Sequence, residues 1–315
     1  MDRSVVAVVV TYNRLAILRK VIAALMTQSF PLREVIVVDN KSTDQTSRFL
    51  EEQAQGETLY PLRVIDMGSN QGGAGGFARG VEEAYSQGAD LIWLMDDDCV
   101  PEPDALERLV SGFDDLKESL AGSQDKTSAP EPGFVCSNVR WKDGSACEMN
   151  IPKASTFWSR HYQPQRPYVG VASCSFVSVL VNARVIPLVG LPIREFFIWY
   201  EDVEFTSRVA KRWPGFLILD SLVVHEIPQN QGVHYRDVNA QNVWKYQYGI
   251  RNQASVFASG PFGIIQAARL IAQQVGQMSA GKVPLRLQAR VVWAGLSGIA
   301  FHYRYKIRYP APRGG

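Results

Sequence analysis

The run Leu91-Ile92-Trp93-Leu94-Met95-Asp96-Asp97-Asp98 sets five apolar residues directly against three carboxylates. An unbroken apolar run of this length, stopped abruptly by polar residues, reads as a strand buried on both faces, the condition of a parallel sheet covered by helices on each side. Residues 5–10 (VVAVVV) and 35–38 (VIVV) repeat the pattern, and residues 62–65 supply a weaker version. Helical signals lie between these strands. Leu15, Leu18, Ile22 and Leu25 share one helix face, residues 43–53 read as a short helix capped by Ser42, and residues 77–86 form a third helix after a glycine-rich loop. Strand and helix alternating in this way predict an α/β fold with a mostly parallel sheet flanked by helices.

Further along, residues 119–133 read as a polar loop. Residues 134–139 and 170–181 read as strands, the second long, and residues 217–219 and 222–224 as two short ones. Residues 201–212 form an amphipathic helix, and from residue 239 the chain reads as helical. In that part Ile264, Ala268, Ile271, Val275 and Met278 share one apolar stripe, and a second helix spans residues 285–305. The expected plan is a catalytic α/β domain over residues 1–237 and a helical region over residues 238–315.

Net charge is +2, but it is unevenly distributed. Residues 238–315 carry ten Lys/Arg and no Asp or Glu, which leaves −8 on the first 237 residues. The four cysteines form no CxxC pair, so free thiols in a reducing, cytoplasmic compartment are expected. The apolar run at residues 5–10 is too short for a signal peptide or a membrane span. A basic tail suits nucleic acid, an anionic membrane or a protein partner. No nucleic-acid reading motif accompanies it.

The chemistry-bearing residues fall where an open parallel sheet binds ligands, outside the carboxyl ends of its strands. Asp96 and Asp98, two positions apart, can reach one divalent cation, which would relieve repulsion among three acids. A helix cap is the simpler account of one such acid. Thr11-Tyr12-Asn13-Arg14 ends the first strand and offers aromatic, amide and guanidinium groups to a base and a phosphate. Asp39 ends the second strand and suits either a ribose contact or a turn. Asn70 and the glycines from Gly72 to Gly76 can bring backbone amides close to an anion. Trp199-Tyr200-Glu201-Asp202 joins aromatics to acids at a helix start, where the acids also suit the helix dipole. His225 ends a later strand, where a histidine is either a ligand or a packed structural residue.

Taken in order, these segments resemble the family 2 glycosyltransferases of the nucleotide-diphospho-sugar (GT-A) fold. The resemblance rests on VVVTYNR (residues 8–14), VVDN (37–40), DDD (96–98), Glu201-Asp202 and the YxxRN pattern of Tyr248 to Asn252. NQGGAGGF (70–77) and WLMDDDCVPEPD (93–104) look more narrowly like the galactofuranosyltransferases of mycobacterial-type cell-wall galactan, in particular the initiating kind. The resemblance implies an inverting transferase using UDP-galactofuranose and a polyprenyl-diphosphate-linked rhamnosyl-GlcNAc acceptor. It implies that Thr11, Tyr12, Arg14, Asp39, Asn70, Gly73 and Asp97 border the donor. Asp96, Asp98 and His225 would hold Mn2+ or Mg2+, Asp202 would act as base, and Trp199, Tyr200 and Glu201 would face the acceptor. His225 stands one residue short of the family's polymerising-type histidine ligand, and Tyr200 stands where those enzymes carry Trp.

With that acceptor, the basic helices would meet an anionic membrane surface at the inner face of the plasma membrane, with Trp293, Tyr303, Tyr305 and Tyr309 at the headgroups. Alternatively they pack on the body or on a second subunit of a homo-oligomer. A rhamnosyltransferase with a deoxythymidine donor is the neighbouring reading. A sugar-1-phosphate nucleotidyltransferase is the reading of another class, and it would need a glycine loop after the first strand, where this chain has Thr-Tyr-Asn-Arg.

Overall fold

The computed structural model describes residues 3–122, 131–302 and 304–311. Its first half runs β1 (Val5–Thr11), α1 (Leu15–Met26), β2 (Glu34–Asp39), α2 (Thr46–Gln55), β3 (Leu62–Asp66), α3 (Gly72–Ser86), β4 (Leu91–Asp96), β5 (Cys99–Pro101) and α4 (Ala105–Ala121). There follow β6 (Phe134–Arg140), β7 (Lys153–Ala154), β8 (Tyr168–Ser173), β9 (Val179–Asn182), α5 (Ile186–Val189), α6 (Glu201–Ala210) and β10 (Gly215–His225). The chain closes with α7 (Val243–Ala258), α8 (Gly263–Ala280) and α9 (Leu285–Phe301).

The strands form one sheet in the order β3-β2-β1-β4-β9-β6-β10-β8-β7, with β5 paired to β10. From β3 to β4 every pairing is parallel, as the buried runs require; beyond β4 the sheet is mixed, with β9 antiparallel to both neighbours. Alternation along each strand sorts its side chains onto two faces. Val5, Ala7, Val9, Val35, Val37, Trp93 and Met95 pack under α1 and α4. Val6, Val8, Ile36, Val38, Ile92 and Leu94 pack against Phe77 and Val81 of α3. Both faces of the central strands are therefore dry, and a one-residue slip would exchange the two sets.

Several expected boundaries move. The glycine run is the first turn of α3 rather than a loop: the helix begins at Gly72, not at residue 77. Low helix propensity is overridden here by close packing. A side chain at Gly76 would place its Cβ 2.5 Å from Val10 Cγ1, and at Gly80 2.3 Å from Val8 Cγ1, so α3 lies on β1 closer than any larger residue permits. Ser42 does not cap α2, which starts at Thr46; its amide and hydroxyl both donate to Asp39 Oδ1. The single strand expected at residues 170–181 is two, β8 and β9, separated by residues 174–178. The two short strands expected near residue 220 are one, β10, with a register shift between Ile218 and Leu222.

In the C-terminal part three helices stand where two were delimited. They share a core of Ile250, Ala254, Ala267, Ile271, Val291 and Ala294. The buried face of α8 is Ala267, Leu270, Ile271, Gln274 and Met278, while Ile264 and Ala268 of the expected stripe face solvent. The centre of the expected 119–133 loop, Tyr303 and Arg313 lie outside the described residues. Among the described residues no helix is long and apolar enough to cross a membrane.

The close approach of α3 to β1 is testable. Gly80→Ala should overpack the interface and lose about 1–3 kcal/mol, seen as a lower urea midpoint at unchanged slope. Gly276→Ala, on the exposed side of α8 where a Cβ meets nothing within 4 Å, should gain about 0.5–1 kcal/mol. A Gly80→Ala midpoint equal to wild type would contradict the packing.

Candidate active site

β1, β2 and β4 end in register, so that Thr11 lies beside Asp39 and Val10 beside Asp96. The chain leaves β4 into Asp97 and Asp98, and β5 then runs along the end of β10, setting Cys99 opposite His225. The ends of β1 and β10, far from β4 in sequence, thus converge on the aspartates.

Asp97 turns toward β1. It accepts hydrogen bonds from the Thr11 hydroxyl at 2.7 Å and the Tyr12 amide at 3.4 Å, and the Arg14 guanidinium lies 3.3 Å from its other oxygen. Asp98 is held from two sides, by Arg14 and by His225 Nε2 at 3.1 Å. The other ring nitrogen of His225 faces Asn150 Oδ1 at 2.7 Å, and Asn150 is itself fixed by donating to Ser175 Oγ at 2.9 Å. With acceptor oxygens at both ring nitrogens, the imidazole is positioned to carry both protons.

The electrostatics follow from this crowding. Burial raises Asp96, and the charges of Asp98 and Asp97 raise it further, to about 7. Burial also raises Asp97, against the pull of Arg14 and Thr11, to about 6. Burial would raise Asp98 as well, but the hydrogen bond and charge of His225, together with Arg14, bring it down to about 2. Burial disfavours the charged form of His225, yet its bonds to Asp98 and Cys147 and the nearby negative charge outweigh this and raise it to about 9.

Asp96 and His225 line a cavity of about 380 Å³ together with Trp199, Tyr200 and Asp202. Asp202, at the start of α6, is raised by burial to about 6, although the Val203 amide donates to it. A second cavity, of about 880 Å³, is lined by Asn13, Arg14, Asp44 and Asp98. The acidic cluster therefore borders both spaces.

The remaining expected residues sit differently. Both oxygens of Asp39 are engaged, by Ser42 and by Ser47 Oγ at 2.6 Å. Asn13 joins the ends of β1 and β2, its Oδ1 accepting from the Thr43 amide at 2.6 Å. Asn70 Oδ1 accepts from the Gly72 amide and opens α3. Glu201 is outside the smaller cavity's lining: it is buried, its carboxyl approaches Gly73, and burial pushes its pKa well up. Asn150, Ser175, Tyr235, Gln253 and Gln277 also line the smaller cavity. No local pattern marks them, because they come from connecting segments and from the inner faces of α7 and α8.

The family model for glycosyl transferase family 2 matches residues 6–141, which includes the ends of β1, β2 and β4. The galactofuranosyltransferase GlfT1 of Mycobacterium tuberculosis is 30% identical over 235 residues, covering 71% of this chain and 71% of that one. The chain belongs to glycosyl transferase family 2. GlfT1 of Mycolicibacterium smegmatis is 40% identical over 213 residues (66% of this chain, 65% of that protein). The dTDP-rhamnosyl transferase RfbF of Shigella flexneri is 24% identical over 235 residues, covering 74% and 70%. Among solved structures, the mannosyltransferase PcManGT from Pyrobaculum calidifontis in complex with GDP-Man and Mn2+ superposes with TM-score 0.55 at 15% identity over 96% of this chain and 88% of that one. S. aureus TarS 1–349 in complex with UDP gives TM-score 0.53 at 15% identity over 99% and 98%. These likenesses establish the glycosyltransferase fold.

The residues of this glycosyltransferase fit a divalent cation. Ligand atoms of Asp98, Cys99 and His225 lie within 4.8 Å of one another, and carboxylate oxygen with imidazole is a donor set that divalent cations accept. Cys99 was not foreseen; burial pushes its thiol well up, so it is neutral. A cation held at His225 must displace the ring proton that is bound up to about pH 9. Mn2+ affinity should therefore rise roughly tenfold per pH unit between neutrality and that value, with close to one proton released, as calorimetry in buffers of different ionisation enthalpy would measure. A pH-independent affinity in that window would remove His225 from the ligand set.

Proposed function

We propose that this glycosyltransferase moves galactofuranose from UDP-galactofuranose, with inversion, to a polyprenyl-diphosphate-linked rhamnosyl-GlcNAc acceptor. The observation that carries the reading is the gathering of Asp202, Trp199, Asp96 and His225 around one cavity in a chain that is 40% identical over 213 residues to a galactofuranosyltransferase.

In this reading Thr11, Tyr12, Arg14 and Asp97 border the nucleotide at the ends of β1 and β4, with Asp39, Asn70 and Gly73 beside them. Asp96, Asp98 and His225 would hold Mn2+ or Mg2+, which would supply positive charge for the diphosphate side of the donor. Arg14, already paired with Asp97 and Asp98, adds a fixed positive charge on the same side. Trp199 and Tyr200 offer faces on which a sugar ring stacks. Asp202 receives the proton from the acceptor hydroxyl as that oxygen attacks the anomeric carbon. A carboxylate near 6 is ionised at neutral pH yet basic enough to take a proton in the transition state.

The acceptor's lipid gives the C-terminal helices a role at the inner face of the plasma membrane. The exposed part of α9 presents Leu285, Trp293 and Leu296 along with Arg286 and Arg290, and α8 opens with exposed Ile264 and Ile265. Such a mixture of apolar and basic groups suits an anionic interface, each cation contributing about 1 kcal/mol. Deleting the chain beyond Gly260 would expose the core that α7 shares with α8 and α9, so surface substitutions are the sounder test. Full-length protein should float with anionic vesicles, less so at high salt, and Arg286→Glu with Arg290→Glu should abolish flotation. Undiminished flotation of that double variant would assign these helices to another partner.

Incubation with UDP-galactofuranose and a synthetic lipid-linked rhamnosyl-GlcNAc, read by mass spectrometry, should show galactofuranose added. Asp202→Asn should cut turnover about 10²–10⁴-fold while keeping UDP affinity, and wild-type kcat should fall as pH drops through about 6. The likeness to a dTDP-rhamnosyl transferase supports a second reading; transfer from dTDP-rhamnose but not UDP-galactofuranose would select it.

A further inference from the structure

The segment that delivers Trp199, Tyr200 and Asp202 to the cavity is held in an unfavourable backbone. Phe197 has φ 66° and ψ −61°, and the Ile198 amide donates to Phe196 O at 2.8 Å. This is a γ-turn of the rare, strained hand. Trp199 and Tyr200 follow with φ 65° and 77°. Three bulky residues of four therefore occupy the left-handed region, and each such residue persists only when its surroundings over-determine it.

The surroundings that do so belong to α7. Asn252, fully buried, directs its amide NH2 at three carbonyls of the strained segment: Phe196 at 3.0 Å, Ile198 at 3.1 Å and Trp199 at 2.8 Å. Its oxygen faces the other way and accepts from Arg251 Nε at 3.0 Å and Nη2 at 2.7 Å. Flipping the amide would set an oxygen against three carbonyl oxygens, so Arg251 and the segment agree on one orientation. Arg251 also donates to Glu195 O at 2.9 Å. One turn earlier, Tyr248 stacks on Phe197 with ring centroids 4.9 Å apart, and Gly249 makes room for Trp199, whose Cε3 would lie 2.9 Å from an added Cβ.

We propose that Asn252, oriented by Arg251, is a positioning residue: it clamps the strained Phe197–Tyr200 turn and so sets the Trp199 ring and the Asp202 carboxylate for acceptor attack. This assigns a task to the Tyr248–Asn252 pattern, which contributes Gly249 but neither Arg251 nor Asn252 to the cavity lining. It rests on the reading of Asp202 as the base. The nucleotide contacts assigned to Thr11, Tyr12, Arg14 and Asp97 come from the ends of β1 and β4, apart from the clamp; of the nucleotide side only the start of α3 meets the turn, where the Ala74 amide donates to Phe197 O at 3.1 Å.

Two full-length variants test it, Asn252→Ala and the milder Arg251→Lys, which keeps the charge and loses the fork. Each is measured for kcat, UDP affinity in Mn2+, and amide hydrogen exchange by peptide. The expected result is a fall in kcat of about 10²-fold for Asn252→Ala and a smaller fall for Arg251→Lys. UDP affinity should be unchanged, and exchange should quicken only in peptides covering residues 196–203. If Asn252→Ala does not fold, Arg251→Lys decides by the same three measurements. Unchanged exchange at residues 196–203, turnover within twofold of wild type, or a loss of UDP binding in step with kcat would each overturn the clamp. Asp202→Asn run in parallel separates the two ideas. Turnover retained there sinks the base assignment, whereas local exchange in the Asn252 and Arg251 variants reports on the clamp without reference to the sugar transferred.

Discussion

Asp98 lies between two cations, Arg14 from the end of β1 and His225 from the end of β10, and the arrangement of the sheet's carboxyl edge depends on that pairing. Asp96, Asp97 and Asp202 crowd the same region. Like charges about 4 Å apart cost roughly 4 kcal/mol at an effective dielectric near 20, so carboxylates gathered without countercharge would drive the edge apart or take up protons. Only Asp98 is brought below the ordinary range; Asp96, Asp97 and Asp202 are raised. The protein's own cations thus satisfy one carboxylate and leave the others short of positive charge. A polar edge with this deficit is suited to receive a cation and a substrate rather than to stabilise the fold.

Much of this edge was legible in the sequence, for a specific reason. Apolar runs buried on both faces must stay inside the sheet, and the polar residue that ends each run is left at the sheet's rim. Thr11, Asp39 and Asp96 are therefore placed by the hydrophobic pattern alone. What escaped notice was decided by contacts distant in sequence. The glycines from Gly72 to Gly76 read as a loop by propensity and are helix because α3 must lie against β1 and the turn before α6. Ser42 reads as a cap and instead serves Asp39. Asn150, which sets the His225 ring, lies 75 positions from it with no motif between them.

The charge asymmetry changes meaning in the same way. Ten cations without an acid describe a surface only if all ten reach it, and they do not. Arg251 is turned inward, its guanidinium 4.0 Å from the Phe301 ring centroid and 4.7 Å from that of Tyr248. Burial lowers its pKa to about 10, still leaving it charged at neutral pH. Arg308 reaches back to Glu195 at 3.5 Å. The basic region is thus partly a structural graft onto the acidic body, while Arg269 of α8 and Arg286 and Arg290 of α9 are exposed and available to a partner.

The identity of residue 252 shows how narrow the requirement on that graft is. Aspartate has the right length but no donor for the three carbonyls. Glutamine has the donors but one methylene too many for a site already closed. Leucine would leave the carbonyls of Ile198 and Trp199 without these bonds in a dry interior, at about 1–3 kcal/mol for each unsatisfied group, while Phe196 O would keep its bonds from Ile198 and Arg251. Each left-handed bulky residue in the turn costs a further 1–3 kcal/mol, roughly, so the turn would relax before such losses were borne. Asparagine supplies donors on one side and an acceptor on the other at a fixed reach, and Arg251 selects between its two orientations. The strained turn that carries Trp199 and Tyr200 and leads into Asp202 is therefore specified from a helix some fifty positions downstream in sequence.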